Sequence, residues 1–338
     1  SMRYYKSFLQ SSLMSVESHT GHVKAYVGGI DYRFFKYDHV TQARRQVGST
    51  FKPFLYTLAM QEGEYTPCTT VPNISYSIEM PDGKFWEPRD AGKTMFGEEV
   101  SLKWALAHSN NRISTYLMKR FGPEAVIQMA RRMGVTAPIE AVPSICLGVC
   151  DISLHEMVGA MSTFANQGVY IKPIFITKIE DKNGNVIDYF ETDKVEAMDE
   201  VTAYKMIELM KGVVQSGTGV RLKYKYGLRN PIAGKTGTTQ NQSDGWFMGI
   251  TPDLTTGVWT GAEDRAVHFR TIGLGQGSNM ALPVWALYMQ KIYADTSLNI
   301  SKGDFDKPLS DVALEFDCEL YEQEQSQKNQ VVEEEEEF

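Results

Sequence analysis

Residues 48–54 read GSTFKPF, a Gly-Ser-Thr turn that runs directly into Lys-Pro. Proline lacks the N–H that a helix interior needs, so it is tolerated only near a helix start. The stretch therefore predicts a helix that begins at Gly48 or Ser49. In such a helix Ser49 and Lys52 lie one turn apart on the same face, where the amine could deprotonate the hydroxyl. A capping Ser followed by a solvated Lys would explain the same residues, and this stretch alone does not decide between them.

The hydrophobic pattern predicts strands near both ends of the chain. Alternating residues around a Thr-Gly turn predict a hairpin over residues 13–29. Three short β segments, joined by turns that favour antiparallel pairing, lie at residues 231–239, 244–250 and 255–262. We therefore expect one α+β domain whose antiparallel sheet takes strands from both termini and is flanked by helices.

Helical patterns fill much of the chain between these strands, namely residues 101–122, 123–134, 153–168 and 199–214. The first pattern is interrupted at Ser109-Asn110-Asn111, and we expect a break there because Asn and Ser compete with the helical backbone for hydrogen bonds. Residues 169–190 predict a second hairpin with an Asn-Gly turn. Residues 63–98, rich in Pro, Gly and Thr, are predicted to form long surface loops.

Three short motifs follow one another along the chain. Ser49-x-x-Lys52 is the only S-x-x-K sequence, and Lys235-Thr236-Gly237 is the only K-T-G sequence. Ser109-x-Asn111 lies between them, although S-x-N also occurs at residues 297–299 and is weak evidence alone. The trio in this order is the signature of class A β-lactamases and penicillin-binding proteins.

The residue types in the trio suit acyl transfer. A serine hydroxyl such as that of Ser49 is a weak nucleophile until an adjacent base takes its proton. Lys52 can be that base if burial and a neighbouring cation lower its pKa, and Lys235 would supply the cation. Ser109 could pass a proton to the leaving amine, while Asn111 could orient Lys52 or hold a substrate amide.

The predicted strand that begins near Lys235 would form one wall of the site. Gly237 would allow the strand backbone to approach the substrate closely. The backbone N–H groups of Ser49 and Thr238 could then form an oxyanion hole.

Four longer stretches resemble the transpeptidase domain of class A, bifunctional penicillin-binding proteins, namely residues 19–32, 41–54, 147–169 and 234–261. These proteins are acyl-serine penicillin-recognising enzymes. The resemblance implies a β-lactamase/transpeptidase-like fold and an enzyme that cross-links peptidoglycan without a cofactor or metal. It implies that Ser49 is acylated by a stem peptide ending in D-Ala-D-Ala, that a neighbouring stem amine takes the acyl group, and that β-lactam antibiotics trap the serine. The Thr236 and Thr238 hydroxyls would hold the carboxylate of the donor or antibiotic.

The resemblance also implies a location and a domain organisation. We expect an extracytoplasmic domain at the periplasmic face of the membrane, anchored by a segment absent from this chain. Residues 1–12 would be the remnant of a connection to an upstream glycosyltransferase domain, residues 13–295 the transpeptidase domain, and residues 296–338 a C-terminal extension with a disordered acidic tail. Val47 departs from the family, which usually has Pro before the Gly-Ser pair.

Composition excludes other classes of partner. The net charge is −8, but residues 319–338 contain eight Glu and one Lys, so the remaining 318 residues carry only −1. A protein whose main part is this close to neutral lacks the excess of positive charge that is typical of nucleic-acid-binding proteins. No apolar run is long enough to span a membrane.

The cysteines leave two states open. Cys146 and Cys150, four residues apart, could pair in an oxidising compartment or remain buried thiols. The four cysteines and six histidines show no zinc-ligand spacing.

Two related functions remain open. A serine β-lactamase shares the trio but needs a further carboxylate to activate water, for which the sequence offers only unplaced candidates such as Glu87 and Glu140. A β-lactam-sensing receptor would be acylated without turnover.

The sequence does not match the phosphate-binding motifs. Neither Gly-Lys-Thr sequence has the first glycine of the P-loop, and GLGQGS lacks the third glycine of G-x-G-x-x-G.

Overall fold

The computed structural model describes residues 2–61, 65–80, 83–88, 90, 94–309, 316 and 318. Its helices, in chain order, are α1 Met2–Lys6, α2 Lys52–Gln61, α3 Leu102–Ala107, α4 Asn111–Phe121, α5 Pro123–Arg132, α6 Leu154–Ala165, α7 Glu200–Gln215, α8 Arg221–Tyr224, α9 Ile272–Gly275, α10 Gly277–Met280 and α11 Leu282–Ala294. Short 3-10 helices cover Gly48–Phe51, Pro143–Leu147, Gln240–Gln242 and Thr296–Leu298.

The strands of the described residues are β1 Leu9–Glu17, β2 Val23–Val27, β3 Arg45–Gln46, β4 Thr70–Pro72, β5 Ile78–Glu79, β6 Phe85–Trp86, β7 Glu99–Ser101, β8 Asp151–Ile152, β9 Val169–Ile171, β10 Lys178–Glu180, β11 Val186–Tyr189, β12 Lys194–Glu196, β13 Ala233–Thr238, β14 Asp244–Ile250 and β15 Leu254–Ala262. Five of them form the central antiparallel sheet in the order β13-β14-β15-β1-β2. The N-terminal strand β1 lies beside β15, so the sheet takes strands from both ends of the chain, as the sequence predicted.

Helices cover both faces of this sheet. Alternate residues point to opposite faces of a strand, so Phe247 and Met248 of β14 belong to different cores. Phe247 packs against α11. Gly249, on the same face of β14, lets Trp285 of α11 approach closely, since a Cβ on Gly249 would lie 2.3 Å from the Trp285 ring. Met248 joins the larger core with α6, which begins with a capping box between Ser153 and Glu156. The sheet is therefore the middle layer of an α+β fold, and β13 lies at one edge.

Most of the predicted elements are present. Helix α2 and the 3-10 turn before it cover the predicted helix, and the chain breaks between α3 and α4 as expected. The hairpin with the Asn-Gly turn is formed by β10 and β11, whereas β9 pairs with β12 instead of extending that hairpin.

The described part of residues 63–98 is mostly loop, as predicted, but it also contains three short strands that the prediction left out. Strand β4 pairs with β7, β5 pairs with β6, and the side chains of Val71 and Asn73 are buried. The strands are two or three residues long, too short for their periodicity to be read from sequence. The described part of this segment therefore packs Val71 into the main hydrophobic core.

The predicted domain limits can be compared with the described residues at each end. Strand β1 begins at Leu9, so residues 9–12 lie within the central sheet, outside the predicted 13–295 domain. Past the predicted limit, Phe305 is buried and Asp304 pairs with Lys211 at 3.0 Å. The predicted disordered acidic tail lies outside the described residues. Among the helices that are described, none combines the length and the apolar character that a bilayer span requires.

The cysteines divide into one disulfide and two thiols. Cys146 and Cys150 are buried and free, so the thiol alternative for this pair is confirmed and the alternative in which they pair is wrong. Cys68 and Cys318 form a disulfide that the sequence did not indicate, because the two residues are 250 positions apart. The bond joins the C-terminal region to the loop before β4, and Lys103 Nζ donates to the Phe316 carbonyl 2.9 Å away.

Loss of this disulfide should destabilise the domain. A crosslink that closes so long a loop restricts the unfolded chain, and such bonds typically contribute about 2–4 kcal/mol. We expect Cys68→Ser to lower the free energy of unfolding by about that amount in urea denaturation. Reductant should lower the stability of the wild type and leave Cys68→Ser unchanged. Equal stability of the wild type with and without reductant would show that the crosslink contributes nothing.

Candidate active site

The predicted site residues meet at one cavity of about 760 Å³. Those that line it are Ser49, Ser109, Asn111, Thr236 and Thr238. Beneath its floor lie the fully buried amines of Lys52 and Lys235, and Gly237 lies between the two threonines on β13. The structure therefore brings all three motifs together from elements that are far apart in sequence.

Two glycines allow the tight turn that presents Ser49. Gly48 has a φ of +54°, and a Cβ there would lie 2.7 Å from the carbonyl oxygen of Thr238 on β13. Gly148 accepts a hydrogen bond from the Gly48 N–H at 3.1 Å, and a Cβ on Gly148 would lie only 1.8 Å from the Gly48 oxygen. Ser49 is the second residue of the 3-10 helix Gly48–Phe51, which places it at a helix start as predicted.

Val47, where the family usually has Pro, has a hydrogen-bonding role of its own. Its N–H donates to the Cys150 carbonyl at 3.1 Å, and its carbonyl accepts from the Thr50 hydroxyl at 2.7 Å. Proline could not make the first of these bonds. The residue that departs from the family therefore ties the turn to the loop that carries Gly148.

Side chains outside the motifs connect the turn that presents Ser49 (the serine turn) to the sheet through hydrogen bonds. Arg45 Nε donates to the fully buried Asp244 at 2.7 Å, and the Trp259 ring N–H donates to the same carboxylate at 3.0 Å. The Trp246 ring N–H donates to the Gln46 carbonyl at 2.8 Å. Sequence reasoning missed these contacts, because each joins residues whose spacing in the chain gives no periodic signal.

The Lys52 ammonium lies against the break between α3 and α4. Its Nζ donates to the carbonyl oxygens of Ser109 at 2.6 Å and Asn110 at 3.1 Å. It also donates to the Asn111 side-chain oxygen at 2.8 Å, and the Ser109 hydroxyl lies 3.4 Å away. The Asn111 side chain therefore contacts Lys52 directly, the contact that the first of its two predicted roles requires.

Ser109 lies between the two lysines. It adopts a φ of +56°, and its hydroxyl accepts a hydrogen bond from Lys235 Nζ at 2.9 Å. Asn110 stabilises the turn by capping α4, since its side chain accepts from the Ile113 N–H at 2.9 Å. The backbone break predicted from Ser and Asn thus places a hydroxyl within reach of both amines.

Burial lowers the pKa of both lysines. Burial lowers the pKa of Lys52 to about 8, although the Asp90 charge opposes this shift. Burial lowers the pKa of Lys235 well below its usual value, and the charge of Lys52 lowers it further. A neutral amine at Lys52 is therefore accessible near neutral pH, as a general base requires.

Strand β13 supplies two hydroxyls to the cavity. The Thr236 hydroxyl shares a 2.7 Å hydrogen bond with that of Thr218, and the Thr238 hydroxyl accepts from the Gly277 N–H at 3.0 Å. Gly237 packs so closely that a Cβ there would lie 2.7 Å from the Val47 carbonyl oxygen. The glycine is therefore needed for contact between β13 and the serine turn.

Further residues line the cavity that no motif indicated. The Trp104 and His108 rings stack with centroids 4.4 Å apart at the end of α3, and Trp86 and Gln276 also contribute to the walls. Across the described ranges, no three His, Cys, Asp or Glu side chains are grouped closely enough to hold a metal ion. The site therefore offers hydroxyls, amines and aromatic walls, together with the carboxylates of Glu87 and Asp90.

Comparison with known proteins identifies the family. The family model for the penicillin binding protein transpeptidase domain matches residues 12–263. Penicillin-binding protein 1A of Aquifex aeolicus (strain VF5) is 33% identical over 286 residues, which are 84% of this chain and 38% of that protein. Penicillin-binding protein 1A of Neisseria meningitidis (strain MC58) is 34% identical over 290 residues, 83% of this chain and 36% of that protein.

Solved structures show the same fold. Penicillin-binding protein 1A from Haemophilus influenzae superposes with a TM-score of 0.79 at 23% identity, over 89% of this chain and 49% of that one. The PonA1 protein from Mycobacterium tuberculosis, solved with penicillin V, has a TM-score of 0.72 at 24% identity, over 89% of this chain and 81% of that one. The chain spans well under half the length of the curated relatives described above. The fold and family predicted from the motifs are confirmed, and the chain belongs to the penicillin-binding protein transpeptidase domain family.

Proposed function

We propose that this domain is a peptidoglycan D,D-transpeptidase that works through an acyl-serine intermediate on Ser49. The observation that carries the proposal is the hydrogen-bonded row of Lys52, Ser109 and Lys235 beneath the cavity that Ser49 lines. One amine in this row has a pKa near 8 and can take a proton, and the hydroxyl between the amines can pass one on. Such a row suits acylation by an amide that must lose an amine.

In the acylation step, Ser49 Oγ attacks the carbonyl carbon of the D-Ala-D-Ala amide, and Lys52 accepts the hydroxyl proton. The backbone N–H groups of Ser49 and Thr238 stabilise the developing oxyanion, a role that the close approach of Gly48 to Thr238 supports. The C–N bond then breaks. Ser109 donates its proton to the departing D-Ala amine and regains one from the lysine pair, so the protons balance.

In the transfer step, the amine of a second stem peptide attacks the acyl carbonyl and Ser49 leaves. The amine's proton returns through the same groups, which regenerates the free enzyme. The Thr236 and Thr238 hydroxyls hold the donor carboxylate, and Lys235 adds electrostatic attraction for that anion. A β-lactam mimics the donor but retains its leaving group on the acyl chain, so the transfer step is blocked.

The location and partners follow from this reaction. Its substrates are stem peptides of the cell wall, so the domain works outside the cytoplasm, at the periplasmic face of the membrane. We propose anchoring through a segment outside this chain, and binding of peptidoglycan and β-lactams but not nucleic acid. Relatives named penicillin-binding protein 1A support the cell-wall role.

The lifetime of the acyl-enzyme distinguishes a transpeptidase from the alternatives. Of the two carboxylates considered for water activation, Glu140 does not line the cavity and Glu87 does. Without an assigned base for water, we expect benzylpenicilloyl-Ser49 to persist for many minutes to hours after free penicillin is removed. Intact-mass spectrometry measures this decay.

A thioester or ester mimic of the D-Ala-D-Ala donor, given with a D-amino acid as acceptor amine, completes the test. A transpeptidase should form the new amide product, and Ser49→Ala should form none. Rapid return to the unmodified mass with continuous penicillin consumption, abolished by Glu87→Gln, would instead indicate a β-lactamase. A stable adduct with no amide product would indicate a receptor.

A further inference from the structure

Asp90 is a largely buried carboxylate at the edge of the proposed acylation site, and no sequence motif includes it. Its side chain is 11% exposed, and the residue contributes to the cavity wall. We propose that Asp90 is a positioning residue: its carboxylate fixes the first turn of α4 and supplies a negative charge that favours the protonated form of Lys52. This inference rests on the proposed function, because it concerns the readiness of Lys52 to act as a base.

The first contact of Asp90 is with the start of α4. One carboxylate oxygen accepts the backbone N–H of Asn111 at 2.5 Å. A negative charge is favourable at this end of a helix, where the N–H groups point outward without helical partners. The Asn111 side chain accepts from Lys52 Nζ, so the carboxylate holds the residue that orients the amine.

The second contact holds the carboxylate in place. Its other oxygen forms an ion pair with Arg112 Nη1 at 2.9 Å, and the Arg112 side chain is 12% exposed. The guanidinium lies over the Phe96 ring, 4.7 Å from its centroid, which fixes the position of the cation. Asp90 is therefore held from two sides and has little freedom to turn away from the lysines.

Charge balance gives Asp90 its second function. Lys52 and Lys235 are both fully buried, and burying ammonium groups without a counter-charge is costly. Among the residues that the structure describes, the titratable groups near Lys52 are Lys235 on β13, the Cys146 thiol, Tyr56 one turn along α2, and Asp90. Burial raises the pKa of Cys146 to about 12, which keeps the thiol neutral. Asp90 is thus the carboxylate that favours the protonated form of Lys52.

A titration of Lys52 itself tests this inference without penicillin. In protein labelled with ¹³C at the lysine ε-carbon, the Lys52 resonance is identified by its absence from Lys52→Arg and followed with pH. Asp90→Asn keeps an oxygen acceptor for the Asn111 N–H but removes the charge. We expect its Lys52 midpoint to fall by about half a pH unit to one unit.

Further variants accompany this titration. Asp188→Asn, an equal charge change on the exposed strand β11, should leave the midpoint unchanged. Arg112→Gln removes a cation and should by itself raise the midpoint, so it serves as the reference for the double variant Asp90→Asn/Arg112→Gln, which leaves neither partner of the ion pair unpaired and provides the test should Asp90→Asn alone fail to fold. An unchanged Lys52 midpoint in Asp90→Asn, or equal midpoints in Arg112→Gln and the double variant where that comparison must stand in, would overturn the inference.

The acylation rate provides a second measurement. The pH midpoint of benzylpenicillin acylation should move down with the Lys52 titration in Asp90→Asn, whereas loss of packing alone would lower the rate without moving the midpoint. A wild type that titrates as described but is never acylated would refute the proposed function. The role of Asp90 in setting the charge of Lys52 would survive that result.

Discussion

Replacing Lys52 with alanine should slow the acylation of Ser49 by benzylpenicillin by about 10²–10⁴-fold, the usual loss when a general base is removed. The wild-type rate should rise with pH through a midpoint near 8, because burial lowers the pKa of Lys52 to about 8 and the neutral amine is the reactive form. The variant should lack that rise. Stopped-flow measurement with a fluorescent penicillin between pH 6 and 10 gives both results.

The matched control for this experiment is Lys182→Ala, which removes an amine from the exposed turn between β10 and β11. It should be acylated at the wild-type rate. Lys52 donates hydrogen bonds to three oxygens at the break between α3 and α4, so thermal denaturation must show that Lys52→Ala remains folded. A folded Lys52→Ala protein with the wild-type rate and pH dependence would exclude Lys52 as the base.

The sequence predicted most of the framework because its signals are local. Alternating residues marked the strands, Pro and Gly marked helix ends, and the Asn-Gly dipeptide marked the turn between β10 and β11. The position of Ser49 at a helix start followed from Pro53 alone. These features depend on neighbours within a few residues, so a single chain is enough to find them.

The residues that support the site could not be predicted in the same way. Arg45 meets Asp244 across 199 positions, and Cys68 meets Cys318 across 250. Neither pair lies in a motif or at a helical or strand spacing, so only the folded chain brings its members together. Asp90 likewise gives no signal, because its carboxylate matters through Asn111 and Arg112 rather than through its immediate neighbours.

Ser49→Ala should abolish covalent modification by penicillin altogether. Ser49 is partly exposed at the cavity, whereas Lys52 is fully buried and Ser109 lies between the two amines. We therefore propose different tasks for the two serines, with Ser49 as the nucleophile and Ser109 as a proton relay. Ser109→Ala should be acylated more slowly than wild type but still at Ser49, which separates the two tasks.

Intact-mass spectrometry after exposure to benzylpenicillin, followed by peptide mapping, tests the nucleophile most directly. The wild type should gain the mass of one penicillin per chain, on a peptide that contains Ser49, and Ser49→Ala should gain none. Both proteins should show the same circular dichroism, because the substitution removes one hydroxyl at the cavity surface. An adduct on folded Ser49→Ala, or a wild-type adduct that maps to Ser109 or elsewhere, would contradict the assignment of Ser49 as the acylated residue.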